Sequence, residues 1–215
     1  MVDYLGIVNI QEVVDMKREE KNLQSRQKIM EAALEEFGAR SYTEASMNTI
    51  CKEGGVSKGI IYHYFKDKDE LYLACLQECF DALTDHLRAG LGEEGAAEVM
   101  IQRYFDSRII FFDKYPAYLR LFCSAVITPP AHLAAEIGRI RKGFDDLNLH
   151  VLTSMLEKVS LRKDITAAEV VEEFKLYQDF VNAQYQMQTM DQVGIEEHEK
   201  RCSRTLKILL YGVVE

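Results

Sequence analysis

Apolar side chains in this 215-residue chain recur three and four positions apart over most of its length, the period of a helix face rather than the alternation of a strand. Punctuation is sparse, with 3 prolines and 12 glycines separating the periodic stretches. A chain written this way has to bury its apolar stripes helix against helix. Hydrophobic residues make up 47% of it and charged residues 28%, enough for a sizeable core in a soluble protein. No apolar run approaches the roughly 18 to 20 residues of a membrane span. The segment Met1 to Gln11 lacks the basic start and small-residue cleavage site of a secretory signal, so a cytoplasmic protein without a membrane partner is expected. Five cysteines with no CxxC pair suit reduced thiols.

The breaks divide the chain into about nine helices, an all-α fold. Residues 1–22 form an N-terminal extension, whose first sixteen residues suit a strand, a short helix or an arm equally well. Ser25 is placed to cap a first helix carrying Ile29, Ala32, Ala33 and Phe37 on one face and ending at Gly38. Ser46 caps a second, short helix that stops at Gly54-Gly55, and Ser57 caps a third that runs through Tyr64. Asp67 caps a long fourth helix, with Leu71, Cys75, Leu76, Phe80, Leu83 and Leu87 turned inward. A fifth covers about 96–114. Pro116 opens a sixth at the tolerated first-turn position, and Pro129-Pro130 precede a seventh over 131–159. Thr166 and Glu169, at capping-box spacing, open an eighth that reaches about Met190; Gly194 precedes a ninth over 195–211.

Two short helices joined by a glycine turn, Ser46 to Phe65, have the layout of a helix-turn-helix, which lays its second helix in the DNA major groove. Gly55 suits a left-handed turn residue and Val56 can pack between the helices. The string from Asn48 to Leu71, NTICKEGGVSKGIIYHYFKDKDEL, closely resembles the DNA-binding head of TetR-family transcriptional regulators, and Ile29, Ala32-Ala33, Phe37-Gly38 and Tyr42-Thr43 fit the same pattern. The resemblance implies a three-helix head over 23–83 (motif about 46–65), a linking fourth helix, and a helical body over 84–215 that binds a small-molecule effector and forms a homodimer on double-stranded operator DNA.

Carried over residue by residue, the resemblance gives a DNA-binding set. Ser46, Asn48 and Thr49 lie at the first helix of the motif, and Lys58, Gly59 and Ile60 begin the recognition helix. Tyr62, His63 and Tyr64 are expected on the groove walls, and Lys68 looks like the family's phosphate-contacting lysine. Ile60 departs from the small or hydroxylated residue often found there; it can meet a thymine methyl but cannot hydrogen-bond. Phe65 reads as a core aromatic.

The body is rich in aromatic residues, which serve core packing and also line apolar pockets. Phe105, Ile109, Phe112, Tyr118, Phe122, Phe144, Tyr177 and Phe180 are the expected effector contacts. Arg103 or Arg108 can pair with a ligand carboxylate, although a surface arginine is the simpler reading. For the dimer interface that the resemblance implies, the apolar stripes of the last two helices supply Val170, Phe174, Val181 and Tyr185, then Leu206, Leu209, Leu210 and Val213. No cofactor or metal is expected: no histidine follows a glutamate by three, and Cys75 and Cys79, at i, i+4, have no histidine at matching spacing and read as packing residues. Without a GxSxG, phosphate loop or HExxH motif the chain does not read as an enzyme. The expected function is a ligand-responsive, sequence-specific regulator, foremost a repressor released by an apolar or aromatic molecule. The alternatives are an activator, a partner-controlled regulator, or a helical carrier or enzyme.

The net charge of −9 opposes that reading until it is divided. Residues 17–67 hold nine Lys or Arg and eight Asp or Glu, a net of +1, while residues 68–215 carry −7 and residues 1–16 carry −3.

Overall fold

The computed structural model describes residues 10–92, 95–187 and 195–213. Within them lie α1 (Ile10–Ala39), α2 (Met47–Glu53), α3 (Lys58–Tyr64), α4 (Lys68–Gly90), α5 (Ala97–Lys114), α6 (Pro116–Ile127), α7 (Ala134–Leu156), α8 (Ala167–Met187) and α9 (Ile195–Val213). A 3-10 turn at Ala131–Leu133 leads into α7, where the sequence had suggested one unbroken helix from 131.

Local chemistry accounts for most boundaries. Asp67 accepts from the Glu70 amide at 2.9 Å, and Pro116 sits in the first turn of α6. Thr166 and Glu169 close a reciprocal box: Thr166 Oγ1 accepts from the Glu169 amide while the Glu169 carboxylate accepts from the Thr166 amide at 2.8 Å. The first helix corrects the sequence reading. Ser25 is no cap; it lies inside α1 and donates its hydroxyl to the Lys21 carbonyl one turn back. Strong helix formers with no Gly or Pro carry α1 through the supposed extension from Ile10 on. Of its described side chains only Ile29 onward are buried in the core.

Helix α4 joins the two ends of the molecule. Its inward stripe begins with Leu71 and Tyr72, whose ring meets Phe37 of α1 at 5.0 Å. It continues to Phe80, which meets Phe122 of α6 and Phe144 of α7 at 5.5 and 5.8 Å. The buried side chains of α1 to α9 thus form one connected core. Gly38 of α1 lies so close to Ala117 of α6 that an added Cβ would stand 3.2 Å from its backbone.

Four of the cysteines, Cys75, Cys79, Cys123 and Cys202, are buried in that core, and Cys51 is half-buried. Desolvation pushes the four buried thiols well up, Cys202 to about 12. They are neutral thiols at physiological pH and poor nucleophiles. Iodoacetamide applied to the folded protein is expected to add one carbamidomethyl group per chain, at Cys51, and five after denaturation. Modification of Cys75 or Cys79 at the rate of Cys51 would show that this core is open.

Candidate nucleic-acid interface

The helix pair α2–α3 is held from inside. Ile50, Ile61 and Phe65 are buried in the core, where α2 and α3 pack on α1. Ser46 accepts from the Asn48 amide at 3.2 Å and gives its own amide to the buried carboxylate of Glu36 at 2.8 Å, which ties the start of α2 to α1. Ser57 caps α3 by accepting from the Ile60 amide at 3.3 Å. Between them Gly55 turns with φ +61°, the left-handed region that glycine enters without strain, and the Val56 amide donates to the Cys51 carbonyl. Gly54 permits a close approach: a Cβ there would stand 3.2 Å from that of Ala32 and 3.3 Å from the Lys28 carbonyl.

With its inner side committed, α3 presents Lys58, Gly59, Ile60, Tyr62 and His63 outward, and Tyr62 is 51% exposed. Asn48 is exposed beside them, and Ser46 and Thr49 are half-buried. Tyr64 is half-buried, with its ring edge-on to His63 and its hydroxyl donated to Asn22 at 3.2 Å. Lys68 is differently placed. Its ammonium donates to the carbonyls of Tyr42 and Ala45 at 2.8 and 3.3 Å and sits 4.3 Å above the Tyr42 ring.

Tyr42 in turn donates to Asp69, whose other oxygen lies 3.1 Å from Nε2 of His132 in the 3-10 turn. Burial and the neighbouring carboxylate hold the Tyr42 phenol well above its ordinary pKa, so it stays a donor. This clasp joins the α1–α2 loop, the start of α4 and the approach to α7. Neither Asp69 nor His132 was marked by the sequence; 63 residues separate them, and no local pattern links the pair.

Comparison with known proteins places this geometry. Residues 29–75 match the family model for bacterial regulatory proteins of the tetR family. The chain is 29% identical over 119 residues to the HTH-type transcriptional regulator RutR of Escherichia coli O157:H7, covering 55% of this chain and 56% of RutR. It is 42% identical over 66 residues to the HTH-type transcriptional activator FasR of Mycolicibacterium smegmatis, covering 31% and 30%. The chain is similar to the TetR family over its head, residues 29–75. It spans only about half the length of curated relatives such as RutR. The fold as a whole is that of FadR from Bacillus subtilis, solved in complex with stearoyl-CoA, with a TM-score of 0.70 at 18% identity over 87% of this chain and 98% of that one. The relatives are transcriptional regulators, the class the sequence indicated in place of an enzyme.

In the body the expected effector residues separate. Phe112, Phe122 and Phe144 come together, with ring centroids 5.7 Å apart for Phe112–Phe122 and 5.3 Å for Phe122–Phe144. Phe122 and Phe144 line a cavity of about 190 Å³ with Val126 and a mostly polar remainder: Arg108, Arg141, Asp145, Asn148, Lys175, Gln178 and Asp179. Phe105 and Ile109 line a different space, a groove of about 690 Å³ between α5 and α9. Tyr118 turns toward α4 and donates to Glu78 at 2.6 Å. Tyr177 is half-buried on α8, its ring 6.2 Å from that of Phe180. Phe180 is corrected outright: it is 56% exposed on α8. Arg108 is corrected too. It is no surface residue but is 3% exposed, with Nε and Nη2 donating to Glu199 of α9 at 2.7 and 3.0 Å; Arg103 is exposed.

Of the expected dimer stripe, the four residues whose side chains are described pack inside the protomer. Val170, Phe174, Val181 and Leu206 are buried within the protomer, sealing α8 and α9 to its own core. The outward apolar residues are Leu176, Phe180 and Ile208. The side chains of Tyr185, Leu209, Leu210 and Val213 lie outside the described residues.

The contrast between Tyr62 and Lys68 is measurable by urea denaturation. Tyr62→Ala, an exposed change, is expected to leave the unfolding free energy within about 0.5 kcal/mol. Lys68→Ala removes the donor to two loop carbonyls and is expected to lower it by about 1–2 kcal/mol.

Proposed function

We propose that the chain is a homodimeric, sequence-specific regulator that binds operator DNA and acts as a repressor released by a small, largely apolar or aromatic effector. The observation that carries this reading is the division of α3. Its inner face is buried in the head, while its outer face offers a lysine, an apolar contact and aromatic groups of the sizes and chemistries that read a major groove. Lys58 and the exposed edges of Tyr62 and His63 serve phosphates and bases, and Ile60 favours a thymine methyl. Lys68 supports the site indirectly by holding the loop before α2.

Leu176, Phe180 and Ile208 supply the apolar surface for a symmetric partner, replacing the inward stripe expected from the sequence. Two such heads read successive major grooves when their recognition helices stand roughly 34–36 Å apart. An effector releases the dimer only if it binds more tightly to a conformation with a different head separation. The cavity lined by Phe122 and Phe144 suits that role, because Phe80 of α4 packs on both rings and α4 begins in the head. A second reading, activation, is favoured by the head's likeness to FasR, named as an activator.

Selection of operator sequences from random DNA tests the reading. A palindromic site with half-sites one helical turn apart is expected, and failure to enrich any sequence overturns it. Tyr62→Ala is expected to weaken binding to the selected site about tenfold or more, and Lys58→Gln to reduce the salt slope by about one. Deleting the gene separates the two signs of regulation: target transcription rises for a repressor and falls for an activator.

A further inference from the structure

Arg108 and Glu199 form an ion pair that burial makes costly. The carboxylate is 0% exposed and the guanidinium 3%, and removing two charges from water costs several kcal/mol each before their attraction offsets it. Packed hydrophobic residues do the same structural job as well or better, so the pair suggests a use beyond holding α5 to α9. Its surroundings are those of a receptor. The guanidinium lies 5.4 Å from the ring centroids of both Phe112 and Phe122 and 5.9 Å from that of Phe144. Nη1 donates to the Tyr104 hydroxyl at 3.3 Å, which itself donates to Asn148 at 2.6 Å and fixes the fork.

The pair also stands between two spaces. Arg108 lines the 190 Å³ aromatic cavity, whereas Glu199 lines the 690 Å³ groove on the other side of α5. That groove carries Arg204, a cation able to receive a displaced carboxylate; Lys207 there donates to Gln102 at 2.9 Å.

We propose that Arg108 is the recognition residue for a carboxylate-bearing effector, and that Glu199 holds the effector's place in the unliganded protein. This deepens the effector reading given above and rests on it. The bidentate geometry already present matches a carboxylate, and Phe122, Val126 and Phe144 give an apolar body a wall; of the other charged groups lining the cavity, Arg141 is already paired with Asp145, while Lys175 and Asp179 offset one another's charge. A cavity of 190 Å³ is below the roughly 300–1,000 Å³ of drug-sized sites, so the ligand is a small monocarboxylate with one ring or a short branched chain. Its entry turns Glu199 into the groove and frees α9 from α5. Because α9 also bears the outward Ile208, this exchange reaches the proposed dimer face.

The test is calorimetry on the full chain with 3-phenylpropionate and its neutral amide as probes. The acid is expected to bind and the amide not. Glu199→Gln weakens the internal competitor and is expected to tighten acid binding about tenfold or more, since less of the protein is held in the occupied state. A doubly substituted Arg108→Met, Glu199→Leu chain leaves no buried charge unpaired and is expected to fold without binding the acid. Equal binding of acid and amide, no binding of the acid, an unchanged or weaker affinity in Glu199→Gln, or acid binding by the double variant overturns the proposal. If Glu199→Gln does not fold, the acid-against-amide comparison and the double variant decide it. Operator binding is measured on the same preparations. Intact operator binding with any of those results sinks the carboxylate assignment alone, and a wild-type chain that selects no operator sinks the regulator reading instead.

Discussion

Helix α4 has to satisfy two environments with one apolar stripe. Tyr72 packs on Phe37 in the head, and Phe80 packs on Phe122 and Phe144 in the body, two turns further along the same rigid element. A helix of 23 residues is about 35 Å long and bends little without a proline or an inserted group, and α4 contains no proline. Movement of the aromatic cluster therefore cannot be absorbed between cavity and head. It must appear as a tilt of α4, and the head follows because Leu71 and Tyr72 are buried in it.

Two further contacts decide how freely the head follows. Gly38 against Ala117 allows α1 and α6 to approach at backbone distance. The clasp of Lys68, Tyr42, Asp69 and His132 is directional, and it fixes the loop before α2 to the base of α4. Through His132 the same clasp also ties the base of α4 to the approach to α7, so the head is coupled to the body there as well as through its seat on α6.

What the sequence revealed and what it concealed divide by range. Ser46, Ser57, Asp67, Pro116 and the Thr166–Glu169 box were readable because a cap is satisfied within three residues of itself. The outward face of α3 came from the family resemblance, residue by residue, and not from spacing; only Phe65 was read as inward. The start of α1 was missed because an amphipathic stripe was sought where propensity alone sustains the helix. Periodicity found the apolar stripes of α8 and α9 but could not say whose core they enter. Val170 and Phe174 serve the protomer, leaving Leu176 and Phe180 outside. Arg108 was misread because its partner lies 91 residues away, beyond any local pattern.

The charge distribution adds a constraint on how such a molecule holds DNA. In the proposed regulator a head near neutrality would neutralise few phosphates, so a single head would bind weakly and with a shallow dependence on salt. The acidic body adds no attraction of its own. In the proposed dimer, affinity then comes mainly from simultaneous engagement, in which the first head raises the effective concentration of the second at its half-site. That gain vanishes when the geometry forbids both contacts at once. A weak head makes occupancy more sensitive to head separation than a strongly basic one would, because little non-specific attraction remains once one head is displaced. The acidity that first argued against DNA binding is, in this arrangement, what lets a small shift at α4 release the molecule.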